Sequence, residues 1–256
     1  MTTEDIAERF KRETAEHEMT VLHDEGLYRH LRFAKPAPEG SMFWWELVTW
    51  PGCLAVRGDM GGEWIFTRLP DMFRFFRSDG GEINPWYWSQ KTELGRSACE
   101  VYDEAVFRQV VTEHFVDAVR YGDAPRGLGK ALRAEVLDQD LSNEDEARAL
   151  LEEFEFGAMF KATCLCGESS EFAKGSDAHL WRHRHIRAGN ATRTHVSSVE
   201  RVEGFRFSDV WEWSFRDYDP SFIWACHAIV RGIQMYDLHR AIPAPAAVAA
   251  ESGGAA

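Results

Sequence analysis

Residues 47–77 read LVTWPGCLAVRGDMGGEWIFTRLPDMFRFFR, and the fold turns on how the GDMGG at 58–62 is taken. A phosphate-binding loop needs consecutive backbone N–H groups aimed at an anion, usually at the start of a helix. A Walker loop adds G-x-x-x-x-G-K-[ST], but here Gly58 is followed by Gly61 and Gly62 with no Lys-Ser or Lys-Thr. The flanks, CLAVRG and EWIFTR, have the composition of strands. GDMGG is therefore expected to be the tip of a β-hairpin. Its glycines supply positive φ, and Asp59 bonds local backbone amides.

Working outward, LYRHLRF at 27–33 alternates: Leu27, Leu31 and Phe33 point one way, and Tyr28, His30 and Arg32 the other. KPAPEG at 35–40 is a loop. MFWWELVTW at 42–50 is nearly continuous apolar and suits a strand buried on both sides. With a Pro-Gly turn at 51–52, these segments predict an antiparallel four-stranded (or larger) meander. Pro70 opens a short helix whose Met72, Phe73 and Phe76 cover a face of the sheet.

The rest of the chain supplies helices. Residues 3–19 read as an exposed helix capped by Thr3. SDGGEINPWYWSQK at 78–91 reads as an aromatic loop. Ser97 and Glu100 form a capping box for a helix that Gly122 stops. Residues 125–156 suggest two short helices, broken at DLSNED with Ser142 as the cap. FRFSDVWEWSF at 205–215 reads as a strand. Asp219 caps a buried helix with Pro220 in its first position and Phe222, Cys226, Ile229, Ile233 and Tyr236 as its stripe. The expected class is α+β. Residues 1–156 and 201–242 form a single domain, 157–200 a small zinc-knuckle-like insertion, and 243–256 a low-complexity tail expected to be disordered.

Composition narrows the function classes. The chain has 256 residues with 42 acids against 29 bases, a net charge of −13, which argues against nonspecific DNA binding. Ordinary solubility explains that charge, as would an acidic surface that imitates DNA or docks on a basic partner. No apolar run approaches the roughly 18–20 residues a membrane helix needs. MTTEDIAERFKRETAEHEM is too charged for a signal peptide. A cytoplasmic protein with no membrane association is expected, and an odd cysteine count of five speaks against a disulfide framework.

Three constellations carry possible chemistry. Tyr28, His30 and Arg32 share a face, and Arg57 and Arg68 flank the hairpin. If the strands are neighbours, they make a basic, aromatic-rimmed patch for an anionic ligand, with a base stacked on tryptophan and phosphate held by arginine. Otherwise they are a solvated outer face. Trp86, Tyr87, Trp88 and Lys91 either close over that ligand or a partner, or seal the sheet's open edge. In the segment 164–187, one residue separates Cys164 from Cys166, twelve lie between Cys166 and His179, and three between His179 and His183. The C2H2 pattern has two to four, about twelve and three to five. The first spacing is short by one, the others fit, and His185 can substitute for His183. The expected cofactor is a structural zinc on Cys164, Cys166, His179 and His183, or else none, with a basic surface helix over two thiols. His227 in the last helix reads as a core histidine satisfied by hydrogen bonds. No G-x-S-x-G, H-E-x-x-H or deaminase signature is present in the sequence.

HLRF, LVTWPG, GDMG, FTRLPDMFRFFR and INPWYW, with WEW, RDYD and CHAIVRGIQMYD near the end, resemble a family of uncharacterised proteins encoded by bacteriophages and prophages. The resemblance covers roughly residues 15–95 and 204–238. It implies a phage origin and action inside an infected bacterium, where accessory proteins of this kind often counter host defence. It implies no activity. The expected function is a binding protein that sequesters a nucleotide-type ligand or docks on a host protein. A phosphodiesterase using His30, Asp59 or His227 and a pure protein–protein module are the alternatives.

Overall fold

The structure is a computed structural model that describes residues 3–36, 42–77, 82–188 and 197–241. Most of the loop expected at 35–40 and the tail at 243–256 lie outside the described residues. The elements run α1 (Thr3–Glu13), β1 (Glu18–Glu25), β2 (Tyr28–Ala34), β3 (Trp45–Trp50), β4 (Cys53–Gly58), β5 (Trp64–Thr67), α2 (Met72–Arg77) and α3 (Pro85–Ser89). Then follow β6 (Glu100–Tyr102), α4 (Glu104–Tyr121), α5 (Leu128–Leu132), α6 (Glu144–Glu153), β7 (Met159–Cys164) and β8 (Ser169–Phe172). Last come α7 (Gly175–Ala188), β9 (Ser197–Val202), β10 (Arg216–Tyr218) and α8 (Pro220–Ala241). The fold is α+β. The chain divides into two compact units, one of residues 1–101 with 218–256, the other of residues 102–217. The segment expected as an insertion at 157–200 thus shares its unit with α4, α5 and α6.

In the first unit β1-β2-β3-β4-β5 is an antiparallel meander. GDMGG is the tip of the β4–β5 hairpin, with Gly61 and Gly62 at φ +77° and +71°. Asp59 accepts the Phe43 N–H at 2.8 Å. One sheet face is entirely apolar where it meets α8: Leu31, Phe33, Trp45, Leu47, Leu54, Val56, Trp64 and Phe66 are buried. Aromatic rings interlock there, with Phe33 stacked on Trp45 at 4.8 Å and Phe66 edge-on to Phe76 at 5.3 Å. Edge-to-face and offset pairs of this kind add about 0.5–1.5 kcal/mol beyond their buried area. α8 carries the expected stripe, all of it buried, and Asp219 caps it by accepting the Ser221 N–H at 2.7 Å.

Four segments differ from the sequence reading. Residues 18–25 are strand, not the end of a helix; β1 is an exposed edge strand, so no buried face imposes alternation on it. Residues 85–89 are helix rather than loop, because Pro85 takes the first position and Asn84 caps the Tyr87 N–H at 3.1 Å. α4 starts at Glu104, where Asp103 accepts from Ala105 and Val106, leaving residues 100–102 as strand; similarly Asn143, not Ser142, caps α6. Residues 205–215 form one 3-10 turn at Val210–Glu212 after a bridge from Phe205 to Phe156, not a strand.

The second unit has its own core, in which Phe107, Val111, Leu132, Val136, Leu151 and Phe215 are almost fully buried. Its three-stranded sheet has the order β8-β7-β9, antiparallel throughout, with α7 packed on it.

Gly232 sets the α8 backbone close against the sheet. A Cβ there would lie 2.7 Å from Leu47 Cδ1 and 2.9 Å from Phe33 Cζ, two side chains of the buried face. Gly232→Val should destabilise the protein by about 2 kcal/mol through overpacking. Urea unfolding should show a lower midpoint at unchanged m-value.

Candidate functional site

On the outer face of the sheet, alternation and register together assemble a charged cluster. Glu46 sits in the central strand β3, opposite Arg32 of β2 on one side and Arg57 of β4 on the other. Arg32 Nη1 donates to Glu46 Oε1 at 2.8 Å. Arg57 donates twice to Oε2, from Nε at 3.0 Å and Nη2 at 2.8 Å. His30 Nε2 lies 3.1 Å from the same Oε2, and an ionised carboxylate can only accept, so His30 is the donor. The two guanidinium groups also cover the Trp44 ring, their Cζ atoms 4.6 Å (Arg32) and 5.8 Å (Arg57) from its centroid.

The Glu46 side chain is only 4% exposed, while those of His30, Arg32 and Arg57 are 36%, 40% and 55% exposed. The carboxylate is thus the buried hub and the cations are its lid. Burial disfavours its charge, but hydrogen bonds from Arg57, His30 and Arg32 outweigh that and hold the carboxyl below its usual range. Two permanent cations against one anion leave a net positive charge at the surface, whatever the state of His30. A guanidinium has five N–H donors, so both arginines keep donors beyond those given to Glu46.

The other expected ligand-binding residues are distributed differently. Tyr28 follows the alternation of His30 and Arg32 and is exposed. Arg68 lies one residue past β5 with the parity of core-facing Trp64 and Phe66, so it does not join the cluster. Trp88 is fully buried, edge-on to Phe76 at 4.8 Å, and is a core residue rather than a ligand contact. Trp86 on the same helix is exposed, and Lys91 Nζ lies 4.9 Å from the Tyr87 ring centre. Glu46 and Trp44 went unread in the sequence; the signal was one acid inside an otherwise apolar run. His227 is not the satisfied core histidine expected, because its Nε2 is buried without a hydrogen-bond partner.

In the second unit, β7 ends at Cys164 and the chain turns through Gly167 at φ +97°, whose N–H donates to Cys164 O at 2.9 Å. Only a residue tolerant of positive φ suits that position. This turn brings Cys166 Sγ to 3.2 Å from His185 Nε2. The ligand atoms of Cys164, Cys166 and His185 all lie within 4.8 Å of one another, a set that could hold a metal ion. His185 stacks on Trp181 at 4.7 Å, and its Nδ1 is 3.3 Å from Glu168 Oε2. His179 and His183 do not join this set. They are exposed, because α7 turns Ala178, Trp181 and His185 toward its sheet and leaves the i, i+4 pair on the opposite face. No helix among the described residues is long and apolar enough to cross a membrane.

Glu46 gives the protein a pH-dependent stability of definite sign. Its folded pKa lies below the ordinary value of 4.5. The stabilisation is therefore complete above that unfolded value and is lost as pH falls through the folded one. Glu46→Gln should cost about 2 kcal/mol at pH 7, the figure for breaking a buried pair discounted for its half-exposed arginines. The difference between wild type and variant, measured by urea unfolding, should shrink steadily below pH 4.5. The chain matches no family model, and no curated protein and no solved structure is significantly similar to it.

Proposed function

We propose that this protein binds a small anionic ligand of the nucleotide type on the outer face of its five-stranded sheet. One observation carries the reading: His30, Arg32 and Arg57 converge on a single buried carboxylate beside the Trp44 ring. Glu46 holds the guanidinium groups in fixed positions, so less side-chain freedom remains to be lost when a phosphate arrives. Arginine's planar fork matches a phosphate in two places, and an indole ring offers a stacking surface for a base. Tyr28 extends the same face. The resemblance to phage-encoded proteins supplies the setting: the cytoplasm of an infected bacterium, where such a binder counters a host defence by sequestering its nucleotide signal. Docking on a host protein through the same exposed rings and charges is the other form of that reading.

Adenosine monophosphate should bind saturably, and Arg32→Ala or Arg57→Ala should weaken it at least about tenfold, the worth of one charge-assisted hydrogen bond. Isothermal titration provides the measurement. Absence of binding, or binding indifferent to both variants, removes the nucleotide version. One contact favours an enzyme instead: His30 bonded to Glu46 at 3.1 Å is a carboxylate–imidazole pair able to move a proton. Product formation from cyclic or linear dinucleotides would decide for a phosphodiesterase, and quantitative recovery of intact ligand for a binder.

For the second unit the proposed cofactor is zinc, held by Cys164, Cys166 and His185, with Glu168 orienting the imidazole through Nδ1. Purified protein titrated with Co²⁺ should develop the intense thiolate charge-transfer and tetrahedral d–d absorption of such a site. Cys166→Ser and His185→Ala should abolish it, and His179→Ala and His183→Ala should not. A colourless titration eliminates the metal.

A further inference from the structure

The first unit holds another concave place, on the helical side of the sheet and away from Glu46. A cavity of about 480 Å³ opens between α1 and α8. Ala7, Phe10 and Lys11 of α1 and Thr14 just past its end line one side, and His227, Val230, Arg231 and Gln234 of α8 the other. Each set follows the i, i+3, i+4, i+7 spacing of one helical face, so the two helices present matching stripes to each other.

Stripes of that spacing usually close on one another with aliphatic side chains. Here they carry Lys11, Arg231, Gln234 and His227 at those positions. The lining has two cations and no carboxylate. Among the described residues neither Lys11 nor Arg231 has an ion-pair partner, although the chain as a whole is acidic. Two like charges on facing helices, left without a counter-ion by a protein rich in carboxylates, are an arrangement that an anion completes.

The interior of the cleft adds a second, independent requirement. His227 Nε2 is buried with no hydrogen-bond partner. A buried polar atom left unpaired costs about 1–3 kcal/mol, so native structures rarely keep one without a reason. Desolvation also lowers the His227 pKa, so the ring is neutral near pH 7 and can donate or accept through Nε2 according to its tautomer. The Phe10 ring lies alongside it, 5.7 Å between centroids at 26°. Phe10 is itself fixed edge-on against Trp224 at 4.9 Å and against Trp45 at 5.7 Å. The inner wall thus offers the Phe10 ring beside an imidazole whose Nε2 has no partner among the described residues. Lys11, Arg231 and Gln234 are exposed at the mouth.

We propose that the α1–α8 cleft is a binding site for a small organic anion: a flat ring bearing a hydrogen-bonding group for His227 and a carboxylate or phosphate for Lys11 and Arg231. The volume lies within the roughly 300–1,000 Å³ usual for such sites, and the lining has the usual form of an apolar wall with a few placed polar groups. A carboxylate and a phosphate meet the same two cations equally well at this level of description. The site is separate from the Glu46 cluster and does not depend on it.

The test uses full-length protein titrated with 4-hydroxybenzoate, adenosine monophosphate and inorganic phosphate, followed by NMR of the histidine rings. At least one of the two ring-bearing anions should saturate with Kd below about 1 mM and move the His227 signals. The Lys11→Ala/Arg231→Ala double variant changes only exposed side chains and should weaken that binding at least about tenfold. Arg32→Ala should leave the binding read from the His227 signals unchanged, whatever it does to adenosine monophosphate on the sheet face, which separates the two sites. His227→Phe keeps the ring and removes the nitrogen; it should reduce affinity for the ring-bearing probe without affecting phosphate. Which of the two ring-bearing anions binds tighter identifies the charged group. Failure of both to move the His227 signals saturably, or a His227 response that survives the double variant, overturns the proposal.

Discussion

The outer face of the sheet depends on one buried carboxylate. Glu46 is the second residue of the central strand, where neighbouring strands on both sides fix its position to within a residue of register. A one-residue slip of β2 or β4 would turn its partner arginine to the opposite face. The ion cluster and the hairpin register therefore support each other. Removing Glu46 from water is unfavourable by itself, and only the several donors around it make the ionised form tolerable. The arginines do not need Glu46 for their own solvation, since each remains substantially exposed. The asymmetry explains why the carboxylate behaves as a positioning group and leaves the cations available to something else.

The other face has the opposite requirement. Its centre carries aromatic and aliphatic side chains, and it is closed by α8 and α2 rather than by charge. Gly232 lets the α8 backbone come down on Leu47 and Phe33, where any side chain would stand in the way. Charged side chains with inner-face parity lie at its margin: Arg29 bonds Asp71 at 3.0 Å and covers the rings of Phe73 and Tyr236, and Asp24 accepts from the Tyr236 hydroxyl at 3.0 Å. Even there the charge is paired, consistent with the cost of leaving it alone in an apolar setting.

What was legible in the sequence follows from this division. The meander could be read because β2 alternates and because the glycines of GDMGG fit a hairpin and no phosphate loop. The placement of Tyr28, His30 and Arg32 on one face came from the same alternation, whereas Arg57 joins them, and Arg68 does not, through the register of β4 and β5. Glu46 was hidden because a lone acid in an apolar run looks like an interruption until its partners on two other strands are known. β1 was hidden because an exposed edge strand has no buried face to imprint a period on its residues. The cysteine–histidine cluster was half legible. Cysteine spacing shows that Cys164 and Cys166 share a turn, but the choice among three histidines depends on which side of α7 meets the sheet. That is decided by Ala178 and Trp181, residues with no bearing on coordination chemistry. Trp88 illustrates the same limit, since an aromatic run cannot say which of its rings a short helix will turn inward.

The two clusters of the first unit differ in a way that bears on how each can work. Around Glu46 the imidazole and both guanidinium groups already donate to the carboxylate, so a ligand there competes with, or shares, an existing network. Its affinity would come from donors the arginines hold in reserve, and its specificity from positions that Glu46 has already fixed. In the α1–α8 cleft, among the described residues, two cations lack partners and an imidazole nitrogen lacks a bond. A ligand there competes with water alone. The free protein bears the cost of that unfilled cleft in its own stability, and by mass action a ligand that fills it would raise the stability of the folded state. A site on the sheet face that is already internally bonded would show a smaller response for the same number of contacts, because part of each new bond replaces an old one.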